Sequence, residues 1–231
     1  MNKIFFFIKK IIIKILSHFL NPIQAIKFDI RKFLFLIKKF KLIYIYKIDF
    51  KINDNLFEPD YGDLDNLIKL ILKYKPKLFL ELGGGYSTLA IAYAFDLLKK
   101  KYDHNYKVIS YDQSLEYLNK TKNLFPKHLK DNIEFRYSPL SIELYNGILM
   151  SFYKDLEILN YDFIYEDRHD HEKTKLAGDI VKLEKEINSN FSFCVDGMKA
   201  SVDYYKNNLK KKYIISNSFF HGTNFIYKND K

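Results

Sequence analysis

From about residue 51 onward, short apolar runs alternate with amphipathic stretches of helical period. Leu64 to Tyr74 spaces its apolar residues by three and four and predicts a helix, which leads into a strand over Lys77 to Leu82. Helical patterning returns over 88–100, followed by a strand from Lys107 to Tyr111 that ends at Asp112. A helix over 114–125 stops at Pro126, and Asn132 to Tyr137 reads as the third strand. Tyr161 to Tyr165 is the fourth, a charged helix spans 172–188, and Phe191 to Val195 is the fifth. A helix over 199–209 leads to a closing pair of strands near 212–219 and 223–228. This alternation predicts an α/β fold, a doubly wound, mostly parallel seven-stranded sheet.

The first fifth of the chain is different. Ile4, Ile8, Ile12, Ile15, Leu16 and Phe19 fall on one helical face, with Lys3, Lys10, Lys14 and Ser17 opposite and Lys9 near the edge. Asn21-Pro22 breaks this helix, a second basic one is expected over 24–41, and Leu42 to Phe50 reads as extended.

Charge sharpens the division. Residues 1–50 hold 11 Lys and Arg against Asp29 and Asp49, whereas the other 181 residues are nearly balanced at 27 against 26. Two parts follow: a basic helical extension, 1–50, and an α/β domain, 51–231. No window of 18 uncharged apolar residues predicts a membrane span. A cleaved signal peptide also fits poorly, because lysines interrupt the apolar run. The extension is therefore expected either to lie on an anionic membrane surface or to pack as a cap with its lysines outward. Nucleic acid is a disfavoured partner, since the lysines lack interleaved arginine or a recognisable binding module. A single cysteine, Cys194, excludes an intramolecular disulfide and points to a reducing, cytoplasmic setting, at the inner membrane face if the surface reading holds.

The candidate chemistry begins at Leu78-Phe79-Leu80-Glu81-Leu82-Gly83-Gly84-Gly85-Tyr86-Ser87-Thr88. An apolar strand ends in an acid, three glycines follow, and a helix starts. That order brings backbone N–H groups close to an anionic or zwitterionic ligand. The first, second, fourth and fifth strands each end near a carboxylate: Glu81, Asp112, Asp167 and Asp196. Open parallel sheets bind ligands just outside these strand ends.

The Glu-x-Gly-x-Gly spacing resembles the first motif of the class I S-adenosylmethionine (SAM) dependent methyltransferases. Residues 77–231 look like such an enzyme, most closely like uncharacterised bacterial members. The resemblance rests on Tyr161-Asp162-Phe163-Ile164-Tyr165-Glu166-Asp167, on Gly178-Asp179-Ile180-Val181-Lys182-Leu183-Glu184, on Val195-Asp196-Gly197, and on the Ser138-Pro139-Leu140 turn. It implies SAM as cofactor. Gly83, Gly84, Gly85 and Ser87 would then lie at the methionine end, and Glu81 would attract its ammonium or order a water. Asp112 would accept from the ribose hydroxyls, and Ser138 would border the adenine. The relatives usually carry glycine after the fourth-strand aspartate; here Arg168 stands there, a long cation expected at the pocket mouth.

Methyl transfer to a hydroxyl requires a proton acceptor beside the nucleophile. Asp167 as orienting carboxylate, with His169 or His171 as base, is the expected catalytic set; His221 is a third candidate base. A small hydroxylated acceptor, such as a sugar of a surface glycan or lipid-linked intermediate, suits this loop and the basic extension. A divalent metal on Asp167, His169, His171 and Asp196 is possible but not favoured, because the spacing is not diagnostic. The alternatives are a SAM-fold protein without activity, a membrane-surface binding protein, and an NAD(P)-dependent oxidoreductase. The last would need Gly-x-Gly-x-x-Gly, and Thr88 occupies the third position.

Overall fold

The computed structural model describes residues 36–45, 59–130, 132–168, 176–187, 189–217 and 222–227. His169, His171, His221 and the first amphipathic helix lie outside them.

The sheet is built as the sequence pattern predicts. Five parallel strands are β1 (Leu78–Leu82), β2 (Lys107–Asp112), β3 (Ile133–Tyr137), β6 (Phe163–Glu166) and β7 (Ser192–Val195). The final pair is β8 (Tyr213–Asn217) and β9 (Thr223–Tyr227), and β9 runs antiparallel to both β7 and β8. The order across the sheet is β3-β2-β1-β6-β7-β9-β8. The chain builds outward from β1 to β3, then crosses to the other side of β1. That reversal creates a crevice at the carboxyl ends of β1 and β6, where open α/β sheets take ligands.

The helices are α1 (Tyr61–Tyr74), α2 (Tyr86–Tyr102), α3 (Leu115–Leu124), α4 (Asp179–Glu186) and α5 (Lys199–Asn208). Asp60 caps α1 by accepting from the N–H groups of Gly62 and Asp63, and Ser114 caps α3 through Tyr117 N. Two cores result. One gathers Phe79, Leu89, Phe95 and Phe163 with the apolar face of α1; the other joins Leu80, Ile109, Ile164, Phe193 and Phe225. Cys194 is buried in the first.

Three expectations are corrected. Residues 36–40 are helical and Lys41–Ile45 continues as a π-helical turn, so residues 42–45 are not extended. The reason is packing: Lys38 and Lys41, one turn apart, both reach the buried Asp65 of α1, and Leu42 is fully buried beside them. Second, the charged helix begins at Asp179, not 172; Leu176 and Gly178 instead bond to both sides of Ser151 in extended pairing. A Cβ on Gly178 would lie 2.2 Å from the Phe152 ring, so only glycine lets this segment approach so closely. Third, a hairpin of β4 (Leu140–Tyr145) and β5 (Ile148–Tyr153) follows β3 and was not anticipated. Its signal was present in the sequence: Asn146-Gly147, both at positive φ, between two β-prone runs.

Candidate functional site

The loop after β1 is fixed from below. Gly83 takes φ 102°, and its N–H donates to Tyr111 O at 2.9 Å. A Cβ at this position would lie 2.3 Å from Asp167 O, inside the strand end of β6. Glycine is thus required twice, for its conformation and for the approach. Gly84 N donates to Asp112 Oδ2 at 3.2 Å, and Gly85 N donates to Thr88 Oγ1 at 3.0 Å.

Glu81 stands beneath this loop, fully buried. Its Oε2 accepts from Thr88 Oγ1 and from Ser110 Oγ, both at 2.6 Å, and its Oε1 accepts nothing. Burial pushes the carboxyl up to about 7, against the lowering effect of the Ser110, Thr88 and Ser87 hydroxyls. Glu81 therefore ties β1, β2 and α2 together and does not itself line the cavity above.

That cavity is about 480 Å³, well within the range of small-molecule sites. Gly83, Gly84, Gly85, Ser87, Asp112 and Asp167 line it, so six of the predicted residues converge there. A Cβ on Gly85 would meet nothing within 4 Å: the turn's backbone borders open space. Asp112 is pinned in place, Oδ1 accepting from Ser114 N at 2.7 Å and Oδ2 from Gly84 N. Ser138 is not among the lining residues. It is buried, accepts from Asp155 N at 2.9 Å, and anchors the start of the hairpin.

On the other side of β1, the Tyr165 hydroxyl lies 3.4 Å from Asp167 Oδ2 and 3.2 Å from Asp196 Oδ2. One hydroxyl proton cannot satisfy both carboxylates. Burial and the neighbouring charges of Asp196, Glu81 and Asp63 hold the Asp167 carboxyl well above its ordinary range. Asp63, from the first turn of α1, also lines the cavity; burial, then Asp196 and Asp60, push it up to about 8. Its Oδ1 is buried without a hydrogen bond. Asp63 and Ser110 carried no sequence signal, since their roles depend on which elements meet.

Arg168 is not at the pocket mouth. Its side chain is fully buried, donating to Asp179 Oδ2 at 2.7 Å and to Ser151 O at 2.9 Å. Asp179 completes the lock by accepting from Tyr153 N. The cation is drawn inward because Asp179 and Glu166 would otherwise be buried acids without a positive partner. Glu184, the last residue of the same motif, accepts from the N–H groups of Lys210 and Lys211. These motif residues hold structure rather than ligand. Among the described residues, no group of three His, Cys, Asp or Glu side chains could hold a metal ion, and no helix is long and apolar enough to cross a membrane.

No family model matches the chain, and no curated protein matches it in sequence. Solved structures do match. A SAH-bound methyltransferase from Podospora anserina, PaMTH1, superposes with a TM-score of 0.53 at 16% identity, over 83% of this chain and 88% of that one. The O-methyltransferase TomG of Streptomyces achromogenes, in complex with SAM, gives 0.48 at 12% identity, over 84% and 89%. An O-methyltransferase of Bacillus cereus in complex with SAH gives 0.46 at 12%, over 83% and 90%. The superposition on PaMTH1, together with the strand order, makes the fold of this chain the Rossmann-like methyltransferase fold.

Proposed function

We propose that this chain is a SAM-dependent class I methyltransferase acting on a small hydroxylated acceptor. The observation that carries the reading is the Gly83–Gly85 turn at the sheet's reversal point, with its backbone facing open cavity and Asp112 held beside it. The residues fit the group. Gly84 and Gly85 leave room for the methionine end, Ser87 adds a hydroxyl at the start of α2, and Asp112 offers a carboxylate for the ribose hydroxyls. Thr88 speaks against a dinucleotide site, since its hydroxyl bridges Gly85 N to Glu81 where that fingerprint requires glycine.

SAM, when bound, supplies an electrophilic methyl group on a sulfonium. Asp167 orients the acceptor hydroxyl towards it, and His169 or His171, which follow within four residues, takes the hydroxyl proton as the new C–O bond forms. A sugar of a surface glycan or lipid-linked intermediate suits this chemistry. The basic extension would hold the enzyme at an anionic membrane surface, which its charge supports.

Isothermal titration with S-adenosylhomocysteine (SAH) tests the cofactor site. Micromolar binding is expected, with at least about a ten-fold loss in Asp112→Ala; no binding by folded wild type refutes the reading. Liposome co-sedimentation tests the membrane half, which falls if deletion of residues 1–35 changes nothing. The cut stops at 35 because Lys38, Lys41 and Leu42 pack on α1.

A further inference from the structure

The sheet order separates the cavity's carboxylates into two groups. Asp112 ends β2 on one side of β1, while Asp167 and Asp196 follow β6 and β7 on the other, where α1 adds Asp63. Asp60 also lines the cavity and is engaged in capping α1. Against these five aspartates, no Lys, Arg or His lines the cavity among the described residues. Arg168, adjacent to Asp167 in sequence, turns away into the interior.

Such an arrangement is costly without a ligand. Asp63 is 8% exposed, and its Oδ1 has no hydrogen bond. Among the described residues the Asp167 side chain has one hydrogen-bond partner, the Tyr165 hydroxyl, and at 3.4 Å that bond is a weak one shared with Asp196. A buried carboxylate such as Asp63, with Asp196 and Asp60 close enough to repel it, destabilises the fold unless something positive enters. The three carboxylates do not form a metal-holding group among the described residues. An ammonium group on an organic molecule is larger, tolerates wider spacing, and donates up to three hydrogen bonds.

We propose that the acceptor carries a protonated amine beside its reacting hydroxyl, and that Asp63 and one Asp167 oxygen bind the amine while the other Asp167 oxygen orients the hydroxyl and Asp196 adds negative charge behind Tyr165. This rests on the methyltransferase reading and narrows it: the acceptor is an amino-alcohol or amino-sugar type of molecule, recognised through its ammonium and methylated on a hydroxyl. The bond formed is O–CH3, the bond broken is CH3–S+, the sulfonium leaves as a neutral thioether, and the hydroxyl proton passes to the base. The ammonium keeps its protons and its charge throughout.

The test is binding to matched pairs of probes, glucosamine against glucose, ethanolamine against ethylene glycol and benzylamine against benzyl alcohol. Affinities are measured on full-length protein with and without saturating SAH. The charged member of at least one pair is expected to bind about ten-fold or more tightly than its uncharged partner. Asp63→Asn, or Asp167→Asn should the first variant fold poorly, is expected to reduce that preference below about three-fold while SAH affinity stays within about two-fold. No charge preference in any pair overturns the proposal, as does a preference that both variants retain. Equal loss of SAH binding in the variants also overturns it, because these carboxylates would then serve the cofactor's own ammonium. The methyltransferase reading fails separately, by absence of SAH binding in wild type.

Discussion

The Thr88 hydroxyl donates to Glu81 Oε2 at 2.6 Å while accepting from Gly85 N at 3.0 Å. Three consecutive features of the chain, strand end, glycine turn and helix start, are thereby joined by one side chain. Part of the backbone that faces the cavity is thus held in shape by Thr88 and Glu81, neither of which lines it.

Thr88→Val keeps the volume and removes the link. Hydrogen bonds to charged groups are worth about 1.5–3 kcal/mol, so a loss near 2 kcal/mol is expected, with a Tm lower by roughly 4–8 °C. SAH affinity is expected to fall as well, since Gly85 N loses its partner. Paired melting and titration curves check both. An unchanged Tm would mean that Glu81 is held by Ser110 alone.

Gly83 and Gly85 differ although they are two residues apart. Gly83→Ala places a Cβ 2.3 Å from Asp167 O at φ 102° and is expected to cost more than about 3 kcal/mol. Gly85→Ala meets nothing within 4 Å, so stability within about 0.5 kcal/mol of wild type is expected. Its methyl group would occupy ligand space, so weaker SAH binding is the distinguishing result. Equal destabilisation by the two substitutions would contradict this geometry.

Arg168→Met is expected to cost about 3–5 kcal/mol, because it leaves Asp179 buried without its cation. The pair Arg168→Met with Asp179→Asn is expected to recover most of that loss, since asparagine still accepts from Tyr153 N. Denaturant unfolding of the two single variants and the double variant measures the coupling. Strict additivity would show that the ion pair does not act as a unit.

Stability is expected to decline as pH rises from about 4 to about 8. Burial raises Asp63 from 3.8 to about 8, and Glu81 and Glu166 from 4.5 to about 7. Each binds its proton more tightly in the folded state, so its contribution is complete below the ordinary carboxylate value and lost as pH passes the folded one. Asp65 acts in the opposite direction: hydrogen bonds from Lys38, Lys41 and Lys69 outweigh its burial and hold it down at about 2, and its contribution disappears as pH falls from 3.8 towards that value. Asp63→Asn should flatten part of the alkaline decline in a series of urea midpoints. A wild-type profile flat between pH 5 and 9 would overturn the assignment.

Much of the architecture was legible in the sequence because it depends on local pattern. Apart from Glu81, strand β1 is apolar on both faces, as a strand buried within a parallel sheet must be. Gly83 was legible because its φ and its close approach to Asp167 O are ones that only glycine supplies, and the carboxylates at the strand ends marked the edge that lines the cavity. The β4–β5 hairpin was equally legible through Asn146-Gly147, in the stretch between the third and fourth predicted strands to which the pattern reading assigned no element.

The sequence by itself determined the α/β alternation and put Gly83, Gly84, Gly85, Ser87, Asp112 and Asp167 at the edge of the sheet where the cavity lies. Tertiary structure alone decided the partners of each charge. Arg168 and Asp167 are chain neighbours, yet one pairs inward with Asp179 and the other faces the cavity beside Asp196. Alternating side-chain direction at the end of β6 sends them apart, and the acids that meet each come from elements far along the chain. Asp63 joins the site only because the fold brings the first turn of α1 to the same cavity as Asp167 and Asp196. Pairing of charges is a matter of distance through space, and a linear pattern of residue types does not contain it.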